Sequence, residues 1–110
     1  MRGNHRIWGR QDYREPEPLA VDQREVVAQC DVSRLAERKT WWTVRVAGFL
    51  VGYVSTRAGG QFYRALNMGE WMFAASDWNR SDPQHGHAIL ALLDRVTGVH
   101  DNEESEICLD

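Results

Sequence analysis

"TWWTVRVAGFLVGYVSTRAGGQFYRALNMGEWMFAAS", residues 40–76, decides the fold of this chain. Its first segment, residues 40–46, alternates: Trp42, Val44 and Val46 fall on one side, Trp41, Thr43 and Arg45 on the other. A period of two places successive side chains on opposite faces of a strand, so this is a half-buried strand. Residues 49–56 are rich in β-branched and aromatic types and predict a second strand, with Ala47-Gly48 as a tight turn or bulge. "RAGG" (57–60) supplies a glycine-bearing hairpin loop, "QFYRAL" (61–66) a third strand, "NMGE" (67–70) a turn and "WMFAAS" (71–76) a fourth strand. Such short connections join antiparallel neighbours, so the expected core of the fold is a four-stranded meander over about 40–76.

Downstream, "SDPQHGHAILALLDRVTG" (81–98) predicts a helix over about 83–97. Asp82 is placed as N-cap and Pro83 at the first helical position, where its missing N–H costs nothing. Ile89, Leu92, Leu93 and Val96 fall at i, i+3, i+4 and i+7 and form one apolar stripe, and Gly98 is the expected stop. Upstream, residues 19–38 are ambiguous in period. Asp22 followed by Glu25 approaches a capping box, and Val26, Val27, Cys30 and Leu35 roughly fit helical spacing. The Val-rich run 24–32 also suits a strand; the helical reading, over about 22–37, is the one adopted. The class is therefore α+β: a meander packed by a C-terminal helix, with a further helix before it. Residues 1–18 carry Pro16 and Pro18 without apolar periodicity and read as an extended arm. Residues 19–100 form a single domain and 101–110 an acidic tail.

At 110 residues the chain has the length of one domain, and folding buries roughly two-thirds of the unfolded surface, enough for a core. With 43% hydrophobic and 26% charged residues, wholesale disorder is disfavoured. No segment resembles a secretory signal, and the longest apolar run, residues 46–54, is too short to span a bilayer, so a cytoplasmic protein with no membrane association is expected. Cys30 and Cys108 match no metal or redox spacing and read as two separate reduced thiols. Twelve of the 13 basic residues are arginine, a bias that points to a GC-rich bacterial or phage genome. The net charge of -3 is unevenly spread. Residues 101–110 hold five acids and no base, whereas residues 1–10 hold Arg2, Arg6 and Arg10 and no acid.

Three kinds of chemistry have candidate residues or motifs to be sought in this chain. His85 and His87 are the only close histidine pair, and Asp82 lies beside them. A metal-dependent enzyme centred on these three residues is the weakest reading, because positions two apart on a helix point about 200° away from each other. No G-x-S-x-G, Walker loop or dinucleotide fingerprint is present, so neither a catalytic residue nor a cofactor is expected. Nucleic-acid binding would use Arg2, Arg6, Trp8 and Arg10 of the arm together with aromatic residues of the sheet. It is disfavoured by the start of the last helix, which has aspartates and no Arg or Lys.

The leading expectation is a small non-enzymatic module that binds another protein, as an inhibitor, adaptor or immunity-type factor of bacterial, phage or mobile-element origin. Five tryptophans are a surplus for one small core, and Trp carries much of the energy at protein interfaces. The candidate contact residues are Trp41, Trp71, Trp78 and Arg45, with Glu103, Glu104 and Glu106 of the tail. A homodimer is compatible with this pattern.

Overall fold

In the computed structural model, residues 16–109 are described, with side chains described for 16–97. A short helix α1 (Val21–Ala28) precedes five strands, β1 (Asp31–Leu35), β2 (Arg38–Val46), β3 (Phe49–Arg57), β4 (Gly60–Ala65) and β5 (Met72–Ser76). A long helix α2 (Gly86–Leu109) closes the fold. The strands form one antiparallel sheet in the order β1-β2-β3-β4-β5, a plain meander. The α+β class is thus established, with one strand more than the sequence pattern suggested.

The extra strand comes from the ambiguous segment. The helix expected over 22–37 ends at Ala28, and residues 31–35 pair with β2, Val32 lying opposite Val44. Burial explains the division. Val26 and Val27 are adjacent, about 100° apart on a helix, so only Val27 reaches the core while Val26 stays 42% exposed. A helix continued past residue 30 would have little apolar surface to bury, whereas in a strand Val32 packs against the core. Asp22 is not the cap of α1 either. It sits in the first turn, and Gln23 Oε1 accepts the Ala20 N–H at 2.8 Å.

Two of the hairpin turns share one solution. Ala47 and Gly48 have φ of 52° and 85°, and Ala58 and Gly59 have 52° and 79°. Positive φ at both central residues defines a type I′ turn, whose twist matches that of the flanking strands. Glycine adopts this conformation freely, whereas alanine is strained in it. Asparagine tolerates it better, so Ala47→Asn and Ala58→Asn should each stabilise the fold by about 0.5–1 kcal/mol, read as a higher urea midpoint at unchanged slope.

The helix α2 lies across one face of the sheet. Ile89, Leu92 and Ala88 are fully buried against Val44, Val54 and Ala65, while Leu93 and Val96 pack at the margin, so the apolar stripe forms as the spacing demanded. Contact is close enough that a Cβ on Gly52 would meet Leu92 Cδ1 at 2.7 Å and the Arg64 carbonyl oxygen at 2.6 Å. Both ends of α2 differ from expectation. It begins at Gly86 rather than 83, and it runs through Gly98 to Leu109, so the backbone of the acidic segment is helical. A glycine in a helix costs about 1 kcal/mol but does not forbid it, and no proline follows.

Asp82 does not cap this helix, because its carboxylate is used elsewhere. Both its oxygens accept the Leu19 N–H, at 3.2 and 3.1 Å, and Arg24 Nη1 lies 3.8 Å away. The start of α2 is instead met from the sheet. Gln61, fully buried on β4, accepts the Ala88 N–H at Oε1 (3.3 Å) and donates from Nε2 to the Ser76 carbonyl (2.8 Å). One side chain thereby joins β4, β5 and α2. Gln61→Leu should strip the Ala88 N–H of its acceptor and lower unfolding free energy by about 1–3 kcal/mol in denaturant titration.

Candidate functional site: an aromatic and arginine sheet face

The pairing register sorts the sheet residues onto two faces. Trp42, Val54, Tyr63 and Met72 lie across from one another in one row, and Val44, Gly52 and Ala65 in the next; these belong to the helix-covered side. On the reverse side Trp41, Ser55, Phe62 and Phe73 form a row across four strands, with Thr43, Tyr53 and Arg64 beside it. Both helices lie on the first side, since α1 packs on α2 and α2 packs on β3, β4 and β5. Among the described residues no element covers the reverse side.

The aromatic residues there form one surface. Trp41 meets Trp71 edge-on, with ring centroids 5.0 Å apart and planes at 82°, and meets Tyr53 at 5.6 Å. Phe62 meets Phe73 edge-on at 5.5 Å. Edge-to-face packing directs the positive rim of one ring at the negative face of the next and holds the cluster rigid. Three arginines lie over it. Arg38 is 4.8 Å from the Trp41 centroid, Arg64 is 5.9 Å from the same ring, and Arg57 spans Phe62 at 5.4 Å and Trp71 at 5.9 Å. Such stacking orients the guanidinium plane and leaves outward N–H groups to donate. Arg64 also donates from Nε to the Met68 carbonyl at 3.1 Å. Among the described residues the only ion pair is Arg24 with Asp82, and none of these three arginines has a described carboxylate within salt-bridge distance. Beneath the rings Ser55 is fully buried, and its Oγ has no hydrogen-bond partner among the described residues.

Of the residues singled out from sequence, Trp41 and Trp71 are brought together here. Arg45 lies at the far end of β2, exposed, opposite Leu50 beyond a bulge and opposite Asp31 of β1. Trp78 stands apart in the loop before α2, half-buried. Arg2, Arg6, Trp8 and Arg10 lie outside the described residues, as do the side chains of Glu103, Glu104 and Glu106. Tyr53, Phe62, Phe73, Arg38, Arg57 and Arg64 were missed. The shared face of Tyr53, Phe62, Arg57 and Arg64 follows from the register of the two type I′ Ala-Gly hairpins, whereas Phe73 pairs with Phe62 beyond a bulge and Arg38 reaches the Trp41 ring from the start of β2.

Comparison with protein-family models, with curated proteins and with solved structures returned no match. The functional reading therefore rests on the geometry alone.

The histidine segment is placed differently from expectation. His85 precedes α2 instead of lying in it, with φ of 67°, and its carbonyl accepts the Ile89 N–H at 2.8 Å. Its ring packs on Trp42 at 4.3 Å and is 3% exposed. His87 is half-buried, and its enclosed Nδ1 has no hydrogen-bond partner among the described residues. Among the described residues no three His, Cys, Asp or Glu side chains come together as a metal cluster, and Asp82 is turned to Leu19. Cys30 is equally unsuited to nucleophilic attack. Burial first, and the Asp31 carboxylate second, push its thiol pKa up, away from the reactive thiolate. Among the described residues no helix is long and apolar enough to cross a membrane.

Burial holds the His85 imidazole down at about 4, against 6.5 for the free side chain. Below pH 6.5 the unfolded chain binds a proton that the folded chain resists, so stability is full above that pH and falls towards pH 4. The loss at the lower limit should be on the order of 3 kcal/mol, and His85→Asn, which cannot titrate, should flatten the melting-temperature profile between these pH values.

Proposed function

We propose that this protein acts by binding another protein through the reverse face of its sheet, as an inhibitor, adaptor or immunity-type factor rather than as an enzyme. The observation that carries the reading is the arginine set lying over an aromatic cluster that no described element covers, with no carboxylate partner among the described residues. Trp, Tyr and Arg are the residue types that dominate binding energy at protein interfaces. The rings supply apolar area at little entropic cost, because the edge-on contacts already order them. These guanidiniums select a partner surface that combines apolar groups with Asp or Glu, since a carboxylate accepts two parallel N–H bonds without disturbing the stack. Arg45 extends the same positive face along β2.

A single-stranded nucleic acid makes a different demand. Its bases stack on ring faces. Here the Trp41 and Phe62 faces carry guanidiniums at 4.8 and 5.4 Å, and the Trp41–Trp71 and Phe62–Phe73 contacts are edge-on, so bases would have to displace these contacts. The geometry favours an acidic protein surface.

The test is affinity capture from the native host with wild type, Trp41→Ser and Arg57→Glu, each variant first shown by melting to be folded. The expected result is one acid-rich partner, held more weakly as salt rises and weakened at least about tenfold by either variant. Capture that nuclease abolishes, or binding of a short oligothymidylate to the same face, would favour nucleic acid instead. A partner retained equally by both variants would remove the sheet face from the account.

A further inference from the structure

On the opposite side of the sheet, where α1, β1 and β2 meet the turn leading into α2, lies a cavity of about 350 Å³. Val27, Val32, Trp42 and Ile89 form its apolar walls, and His85 and Gln84 are its polar lining residues. Among the described residues no charged side chain lines it. We propose that this cavity binds a small, uncharged, planar ring compound with a polar edge, seated beside Trp42 and hydrogen-bonded to His85.

Unmet hydrogen-bonding capacity argues for a ligand. A neutral imidazole offers one N–H donor and one bare nitrogen acceptor. His85 is only 3% exposed, and neither Nδ1 nor Nε2 has a hydrogen-bond partner among the described residues. Buried polar groups in folded proteins are nearly always satisfied, and an exception marks strain, a catalytic role or an absent partner. Both nitrogens are enclosed in this ring orientation, so neither bulk water nor a molecule in the cavity reaches them until the ring turns. A half-turn of the ring about Cβ–Cγ exchanges its nitrogens with its carbons and brings a different edge to the cavity.

The walls then define the chemistry. Trp42, already 4.3 Å from the His85 ring, provides an aromatic surface against which a flat molecule packs. Val27, Val32 and Ile89 reward apolar area and penalise a charge. The volume stands at the lower end of small-molecule sites, which suits one or two fused rings. An N–H or ring nitrogen on the ligand meets the complementary atom of His85. This site lies on the helix side of the sheet, away from Trp41 and Trp71, and stands or falls independently of the protein-binding face.

Indole and naphthalene test the proposal, being two-ring molecules of similar size of which only indole carries an N–H. Titration of the full chain, followed by the Trp42 indole N–H and the His85 ring protons in NMR, should show saturable binding of indole. The expected preference over naphthalene is about tenfold, the worth of one matched hydrogen bond. His85→Gly, which keeps the left-handed backbone without strain, should abolish that preference. Ala28→Leu, at an exposed position where leucine is nearly as good a helix former as alanine and fills the cavity mouth, should weaken both compounds. Equal binding of the two compounds, no saturation with indole, or shifts confined to Trp41 and Trp71 would each overturn the assignment.

Discussion

A sheet has two faces, and among the described residues both helices lie on only one of them. Everything distinctive about this protein follows from that arrangement. The covered face has aliphatic and small residues at its centre, Gly52 and Ala65 letting α2 approach the backbone closely, with the partly buried Trp42 and Tyr63 packed beside them. The other face carries rings and arginines. Large apolar area with no described element against it calls for a compensating arrangement, and here the rings pack edge-on against one another beneath a layer of guanidinium groups. That arrangement reduces the exposed apolar surface and at the same time presents oriented donors to solvent.

The junction of sheet and helix is held by polar groups as much as by apolar ones. Gln61 reaches from β4 to the first turn of α2, and Asp82 holds the entering chain at Leu19. Between them the segment 83–85 turns through a left-handed residue and seals His85 against Trp42. An enclosed imidazole beside an open cavity is an unusual thing to maintain, because the buried ring nitrogens lose their bonds to water on folding. The same placement makes His85 a group whose protonation opposes the folded state. Chemistry and fold therefore meet at the segment that sequence alone marked as the start of a helix.

Reading the sequence recovered the strands of residues 40–76 as four separate runs, the turns between them and the stripe on α2. Each of these rests on a local period, two for strands and 3.6 for helices, and local periods survive whatever the rest of the chain does. The segment 29–37 was misread because a short Val-rich run fits either period. Its outcome depended on Val32 finding Val44, a pairing twelve residues distant in sequence. Asp82 was assigned to the helix it precedes because capping is a local rule, yet its carboxylate binds a backbone N–H 63 residues away.

Amino-acid order alone determined the class of this protein, its antiparallel meander and the apolar face of its last helix, since patterning over a few residues dictates each. Tertiary structure decided which tryptophans share a surface, which arginines overlie them and which histidine is buried. Those outcomes depend on strand register and on the side of the sheet that the helices choose. Both are settled by contacts between residues far apart in the chain, and a shift of one residue in register would send every ring to the other face.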